Sequence, residues 1–487
     1  MKVIVIGSGI SGLASAIHMA KKGHLVTVLE ASPTYGGKLN ALQIGNYRFD
    51  TGPSLFTMPQ FVVDLLDFEF KTEFKYKQLD ISCNYFFPDS SHFSVSKNQS
   101  QFIKEASVFF NEPEEKIDAL LKKSKSIYDI TSPVFLENSL HKWSTYLSKS
   151  GIKGILNLWR LNMFTTMHNA LASKIDNPKL IQFFDRYATY NGSNPYSAPA
   201  TLLVIPHLEF HHGAYLPENG MRDIADILYK QAVKLKVEFK FNETVESIQK
   251  KEKAIYSVTS SKNIYTPDFV IANCDAKVVY QKLLNETLPP KIKKAENSSS
   301  ALIFYWGIKK TFPELDVHNI FFSADYKNEF NHIFNLKSLC DDPTVYINIT
   351  SKKIKTDAPS YGENWFVMIN APYNQGQSWE ELRAQAKKNI LQKLSKMLNE
   401  DIGNLIEVED YLDPIRIETR TSSDKGSLYG SSSNNRLSAF FRQANFSSKI
   451  NNLYFCGGSV HPGGGIPLCL LSAQIVNKIT PNANPRK

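Results

Sequence analysis

The stretch Lys2-Val3-Ile4-Val5-Ile6-Gly7-Ser8-Gly9-Ile10-Ser11-Gly12 decides how this chain is read. Val3 to Ile6 form an apolar run, and Ile10, Leu13, Ala14 and Ile17 then recur at helical spacing. Gly23, after Lys21 and Lys22, is a natural helix stop. A strand, a tight turn and a helix are therefore expected, with separate work for each glycine. Gly7 permits the turn, Gly9 lets backbone approach a pyrophosphate, and Gly12 lets the helix pack on the strand. The phosphates would sit on free amides at the positive end of the helix. A second apolar run, 25–29, ends in Glu30, placed to accept hydrogen bonds from a ribose hydroxyl. An acid there disfavours a 2′-phosphate, so a ligand of FAD or NAD kind is expected.

Gly36-Gly37-Lys38 follows that second strand, and Asn46-Tyr47-Arg48-Phe49-Asp50-Thr51-Gly52-Pro53 comes soon after. Together they resemble the extended signature of FAD-containing amine oxidases and carotenoid desaturases, which simple NAD dehydrogenases lack. The resemblance implies that the glycine pair wraps the pyrophosphate. An arginine usually follows the pair in those families; Lys38 replaces its bidentate fork with a point charge, which weakens phosphate recognition without removing it.

At 487 residues and 42% hydrophobic, the chain can bury a large core divided into two or three domains. Cys83, Cys274, Cys340, Cys456 and Cys469 are scattered without a CxxC pair, which points to a reducing compartment and to no metal site. The first strand begins at Lys2 and leaves no room for a targeting segment, so a cytoplasmic protein is expected. No apolar run approaches the ~18 to 20 residues that span a bilayer. The net charge of +9 favours an anionic surface such as lipid headgroups, and ordinary solvated lysines explain it equally well. Nothing resembles a nucleic-acid module, so nucleic acid is not expected as a partner.

Along the chain, 68–76 and 84–88 read as aromatic strand patterns. Asn111 reads as a helix cap, with Pro113 just inside and Glu114-Glu115 in the first turn. The segment 154–175 reads as a strongly apolar helix with Lys153 and Arg160 beside it, fit either for a core or for a membrane interface. Aromatic-rich 183–196 ends in turn chemistry, and 213–222 opens another helix. The run 269–275 returns to a buried strand ending in polar groups, before a second excursion from 298 to about 399.

The C-terminal element matters as much as the first. Residues 453–458 read as a strand ending in glycines, 459–465 as a loop, and Pro467 sits in the first turn of a helix carrying Leu468, Leu471 and Ile475 on one face. Free amides at that helix start could stabilise negative charge on a reduced flavin ring. Gly457-Gly458-Ser459-Val460-His461-Pro462-Gly463-Gly464-Gly465-Ile466-Pro467 resembles the C-terminal flavin motif of bacterial phytoene-desaturase-type carotenoid desaturases. Asp50 to Pro53, Tyr190-Asn191-Gly192 and Gly220-Met221 fit the same family, and the wording 460–467 is more similar to its hydroxycarotenoid 3,4-desaturase branch than to its phytoene branch.

The resemblance implies an α/β fold: a Rossmann-like FAD-binding domain with an inserted α+β substrate domain, the architecture of amine-oxidase-like flavoproteins. The FAD domain would be assembled from 1–70, 213–290 and 405–487. The substrate domain would comprise 71–212 and 291–404, with a helical membrane-associating part near 112–175. It also implies peripheral membrane attachment, a long apolar carotenoid substrate and FAD as cofactor, with the electron acceptor unassigned. Carried over by position, Glu30 would bind the adenosine ribose, Val245 the adenine through its backbone, and Gly458 with Gly465 and Ile466 the flavin side, while Gly7, Gly9, Ile10, Ser11, Gly12, Ala31, Gly37, Lys38, Thr51, Gly52, Pro53 and Gly457 would also belong to the cofactor site.

The implied reaction removes a hydride and a proton from neighbouring carbons. A polyene spreads developing charge over many carbons, so a strong base is not obligatory, and no catalytic residue is assigned. His461 reads either as catalytic or as ordering its loop, and Asp185 with Arg186 either as substrate contacts or as an internal ion pair. Segments 183–196 and Phe304-Tyr305-Trp306 line an apolar tunnel or pack in the core. The rival functions are phytoene desaturation, amine oxidation by the same fold, and non-catalytic lipid binding by a relative of it.

Overall fold

The run that opens the chain becomes β1 (Lys2–Ile6), followed by α1 (Ile10–Lys21) and β2 (Leu25–Leu29), in a computed structural model that describes residues 1–435, 438 and 442–483. β1 is the middle of a five-stranded sheet with the order Leu453–Phe455, Phe269–Ala272, β1, β2, Glu238–Lys240. All of its pairings are parallel. Parallel strands of this kind are buried on both faces, which is why they read as unbroken apolar runs. Val3 and Val5 pack on α1, Arg222–Lys234 and Ile466–Ile479. Ile4 and Ile6 face the opposite way, onto Val245, Ile248, Ile255 and Val258 of a small antiparallel sheet.

A seven-stranded sheet forms the second body, in the order Ile406–Leu412, Ser300–Ile308, Glu363–Ala371, Val345–Asn348, His318–Phe321, Ile81–Phe86, His92–Ser96. Its outer face packs Trp306, Trp365 and Val367 on Ala386, Ile390 and Leu394 of the Trp379–Leu398 helix. At one end the inner face sets Ile303, Tyr305 and Phe366 against Tyr47 and Phe49 of the Tyr47–Asp50 strand. At the other it meets helices Gln99–Phe110, Glu114–Thr131 and Pro178–Asp185 through Cys83, Tyr85, Ile320 and Phe322.

Several local expectations change. The segment expected to rejoin the nucleotide domain at 405 begins instead with Ile406–Leu412, which pairs with Ser300–Ile308 as the edge strand of the seven-stranded sheet. Its alternation of Glu407 and Glu409 with Ile406 and Val408 suits an antiparallel edge. The aromatic stretch from Phe68 is a short helix, Phe68–Glu73, with Asp67 at its N-cap, and only Tyr76–Gln78 is strand. Asn111 does not start a helix. It closes Gln99–Phe110 in the left-handed conformation (φ 49°), and Pro113 occupies the next N-cap. The apolar helix expected over 154–175 is interrupted: Asn162 ends a 3₁₀ turn at φ 51°, and Thr166 caps a separate helix, Met167–Ala172, by accepting from the Asn169 N–H. Among the described residues no helix is long and apolar enough to cross a membrane.

Candidate active site

The glycine-rich turn is built on contacts a Cβ would destroy. Gly7 has φ +91°, and its N–H donates to the Leu29 carbonyl at 2.8 Å, locking the turn to the end of β2. A Cβ on Gly12 would collide with the Gly7 carbonyl oxygen. One on Gly37 (φ +59°) would come within 3.2 Å of Gly9 Cα, and the Gly36 N–H donates to the Ser8 carbonyl at 2.9 Å. The two glycine segments, far apart in the chain, thus run side by side.

Asn273, at the end of Phe269–Ala272, completes this turn. With its amide oxygen turned inward it accepts from the N–H groups of Gly9 (3.1 Å) and Gly12 (3.2 Å). Two of the amides expected to be free for phosphate are therefore held by the protein. The sequence marked 269–275 as a strand ending in polar groups, but the partner lies on another segment and only the parallel register of β1 with Phe269–Ala272 brings it there. Glu30 is buried at the end of β2; its carboxylate accepts from Ser8 N–H (2.7 Å), Ser8 Oγ (2.6 Å) and Ser32 N–H (2.9 Å). The Glu30 carbonyl accepts from the Glu243 N–H, which sets Val245 on the strand that begins beside it.

Lys38 Nζ donates to the Leu428 carbonyl at 3.0 Å, and burial pushes its ammonium below the ordinary lysine range. A Cβ on Gly52 would overlap the Lys38 carbonyl, so the Thr51-Gly52-Pro53 segment lies directly over Lys38. Tyr305 Oη donates to the Thr51 carbonyl at 3.1 Å. Asp50 joins Arg48 (2.9 Å) to the Met221 N–H (2.8 Å), which explains why Gly220-Met221 accompanies the Asp50 segment.

On the far side, Gly465 precedes the Ile466–Ile479 helix at φ +99°, with open space where a Cβ would stand. Ser11 Oγ donates to the Cys469 carbonyl at 2.8 Å and ties this helix to α1. Arg442 is buried beside the glycine loop, and its hydrogen bonds go to neutral oxygens: Tyr429 O (2.9 Å), Ser431 O (2.7 Å), Gly458 O (3.3 Å) and Asn191 Oδ1 (3.1 Å). Burial without an acidic partner lowers its pKa to about 10. Arg442 connects the Asn191-Gly192 segment to the terminal glycines, a link for which the sequence carries no local signal. An anionic or electron-rich group would be held well near this guanidinium.

His461 turns away from that loop. It is fully buried, its Nε2 is 2.9 Å from the Asn138 carbonyl, and burial lowers its pKa to about 3. Its carbonyl accepts from Asn445 Nδ2 and Ser472 Oγ. Asp185 and Arg186 are both buried but do not pair with one another. Asp185 meets His168 Nδ1 at 2.7 Å, while Arg186 meets Glu209 at 3.1 Å, because consecutive residues at a helix end point in different directions. Phe183 and Phe184 belong to the aromatic core. Phe304 and Trp306 lie on the outer face against the Trp379–Leu398 helix, leaving Tyr305 alone of that trio on the inner face. The expectation of no metal site rested on cysteines; His207, His211 and His212 bring imidazole nitrogens within 4.8 Å, with the rings of His207 and His211 stacked face to face.

The arrangement fits FAD: paired glycine segments open to close approach, an acid at the end of β2, a half-buried lysine, and a second helix start with vacant volume beside Gly465. The model of the flavin containing amine oxidoreductase family matches residues 10–477. The chain is 49% identical to a 1-hydroxycarotenoid 3,4-desaturase of a Flavobacterium species, covering 99% of each chain. It is 30% identical to a 4,4'-diapolycopene oxygenase of a Methylomonas species, covering 98% of this chain and 97% of that one. Among solved structures, an oxidoreductase from Methanosarcina mazei superposes with a TM-score of 0.64 at 15% identity, covering 98% and 100%. A putrescine oxidase bound to putrescine gives 0.63 at 14%, covering 98% of both. These structural likenesses establish the fold.

Proposed function

The chain belongs to the flavin containing amine oxidoreductase family and is an FAD-dependent oxidoreductase; from that premise we propose that it introduces a carbon–carbon double bond into a carotenoid, by 3,4-desaturation of a 1-hydroxycarotenoid. The observation that carries this reading is the 49% identity along 99% of both chains to a desaturase of that name, against 30% to the oxygenase. When bound, FAD supplies the hydride acceptor. The residues of the chain hold it and exclude water. In this reading Glu30 takes the ribose side and the Gly9 and Gly37 backbones admit the pyrophosphate. In the same reading Lys38 stays with the pyrophosphate, and the Gly465 helix start faces the flavin side, where a local positive field stabilises added negative charge. The substrate loses a hydride and a proton from adjacent carbons, and delocalisation along the polyene lets a weak base or water take the proton.

The reading includes a peripheral membrane attachment. Trp143, Leu147, Leu156, Trp159 and Phe164 are exposed on one helical region, with Lys142, Lys149, Lys153 and Arg160 close in sequence. Aromatic and aliphatic side chains beside cations suit the headgroup boundary, from which a carotenoid would be drawn. Co-sedimentation with anionic vesicles tests it: replacing Trp143 and Trp159 by Ser should release most of the protein into the supernatant, and unchanged sedimentation would refute it. Function is tested by expressing the chain in cells that accumulate phytoene and in cells that accumulate hydroxylated carotenoids. A longer chromophore only in the second is expected; conversion of phytoene would overturn the 3,4-desaturase reading.

A further inference from the structure

The Val204–His212 helix carries three histidines that the flavin site does not use. His207 and His211, four residues apart, stand one turn above the other on one helix face, a spacing that lets two imidazoles reach one ion. His212 follows directly, and the three residues bring one imidazole nitrogen each within 4.8 Å of one another. The His212 ring stands nearly perpendicular to those of His207 and His211, with centroids 5.7 and 5.0 Å away. Tyr128, from the Glu114–Thr131 helix, packs against the cluster, its ring 4.8 Å from His207 and 5.7 Å from His212. His212 Nε2 is buried and has no hydrogen-bond partner among the described residues. Burial lowers the pKa of His207 to about 4 and holds that of His212 below the ordinary histidine range. Both rings are thus neutral at pH 7, and each keeps a nitrogen lone pair. His211 and His212 also occupy the last turn, where the helix carbonyls favour a cation. The charged groups that act on His207 from the Glu114–Thr131 helix, Asp129 and Lys125, pair with one another at 2.7 Å and largely cancel.

We propose that His207, His211 and His212 form a binding site for one divalent cation of the zinc class, with water in the fourth position. An all-imidazole set suits zinc, nickel or copper, whereas magnesium and calcium take oxygen ligands, and this set contains no carboxylate. Tetrahedral zinc, ~2.0 to 2.1 Å from each nitrogen, holds its ligands about 3.4 Å apart. His211 is exposed, so its side chain can leave its stack on His207 and make the closing movement, about 1.4 Å at most. The ion fixes the last turn of the helix whose Glu209 neutralises the buried Arg186, just before Gly213 turns the chain into Tyr215–Pro217. It stabilises the folded chain by binding it in preference to the unfolded one. The proposal does not depend on the carotenoid reading.

Equilibrium dialysis of Zn²⁺ against the untagged, FAD-loaded protein tests this. One equivalent should bind at micromolar free zinc and stay bound in millimolar Mg²⁺. His211→Ala and His212→Ala should each weaken binding by about tenfold or more, since losing a ligand costs at least as much as losing a group that supports one. His92→Ala, which removes an exposed histidine from a strand of the seven-stranded sheet, should leave binding unchanged. Zinc should also raise the Tm of the wild type and leave that of His211→Ala within about 1 °C of its zinc-free value. No saturable binding at micromolar zinc, equal binding by the wild type and both variants, or an equal loss in His92→Ala overturns the proposal. His211→Ala alters one exposed side chain and decides the matter if His212→Ala does not fold.

Discussion

Replacing Asn273 by Leu removes the acceptor of two amides and little volume. The amide oxygen accepts from Gly9 at 3.1 Å and Gly12 at 3.2 Å. A Cβ built on either glycine would stand 2.9 Å from the Asn273 amide, so water has no room to replace what is lost. At about 1 to 1.5 kcal/mol for each buried hydrogen bond, the change should cost about 2 to 3 kcal/mol, a large share of the ~5 to 15 kcal/mol of an ordinary domain. Urea unfolding of the flavin-stripped protein, followed by tryptophan fluorescence, measures it. Asn273→Asp separates support of the turn from binding. It keeps an acceptor for both amides and should unfold near the wild type, yet its negative charge next to the pyrophosphate should weaken FAD by about tenfold or more. If Asn273→Leu unfolds within about 0.5 kcal/mol of wild type and keeps its flavin, Asn273 does not hold the turn.

Two further outcomes follow from buried charge. Burial raises the Glu329 carboxyl from 4.5 to about 7. The native state therefore holds a proton that the unfolded chain releases, and this group's contribution to stability falls as pH rises from about 4.5 to about 7 and is flat above. By linkage the fall is ~3 kcal/mol; urea unfolding across that window should show it in the wild type minus Glu329→Gln, and a flat difference would refute the assignment. Glu209→Gln leaves the buried Arg186 guanidinium without its counter-charge. It should cost about 3 to 5 kcal/mol in thermal unfolding, and adding Arg186→Met should recover part of that loss, which an isolated structural glutamate would not show.

What could be read in the sequence was local. The β1 turn, α1, β2 and Glu30 follow one another without interruption, and their apolar spacing and glycines sufficed to place them. The terminal glycine loop and Pro467 were legible for the same reason. Asn273 and Arg442 were not, because their partners lie on other segments and nothing in their neighbours marks the encounter. Phe304-Tyr305-Trp306 was recognisable as strand, but which faces looked inward depended on the register with Glu363–Ala371. The stretch from Phe68 carried aromatic residues common in strands and yet formed a short, largely exposed helix, Phe68–Glu73. The alternative of an ion pair between Asp185 and Arg186 does not hold: the partner of Arg186 is Glu209, from the Val204–His212 helix, and that of Asp185 is His168.

The most direct test of the central claim is the product formed when purified, FAD-loaded protein meets a 1-hydroxylated acyclic carotenoid on a vesicle surface with an electron acceptor supplied. The account predicts a product lighter by one H₂ whose absorption is shifted to longer wavelength, with the new double bond between C3 and C4. Unchanged carotenoid together with oxidation of a primary amine such as putrescine would contradict it.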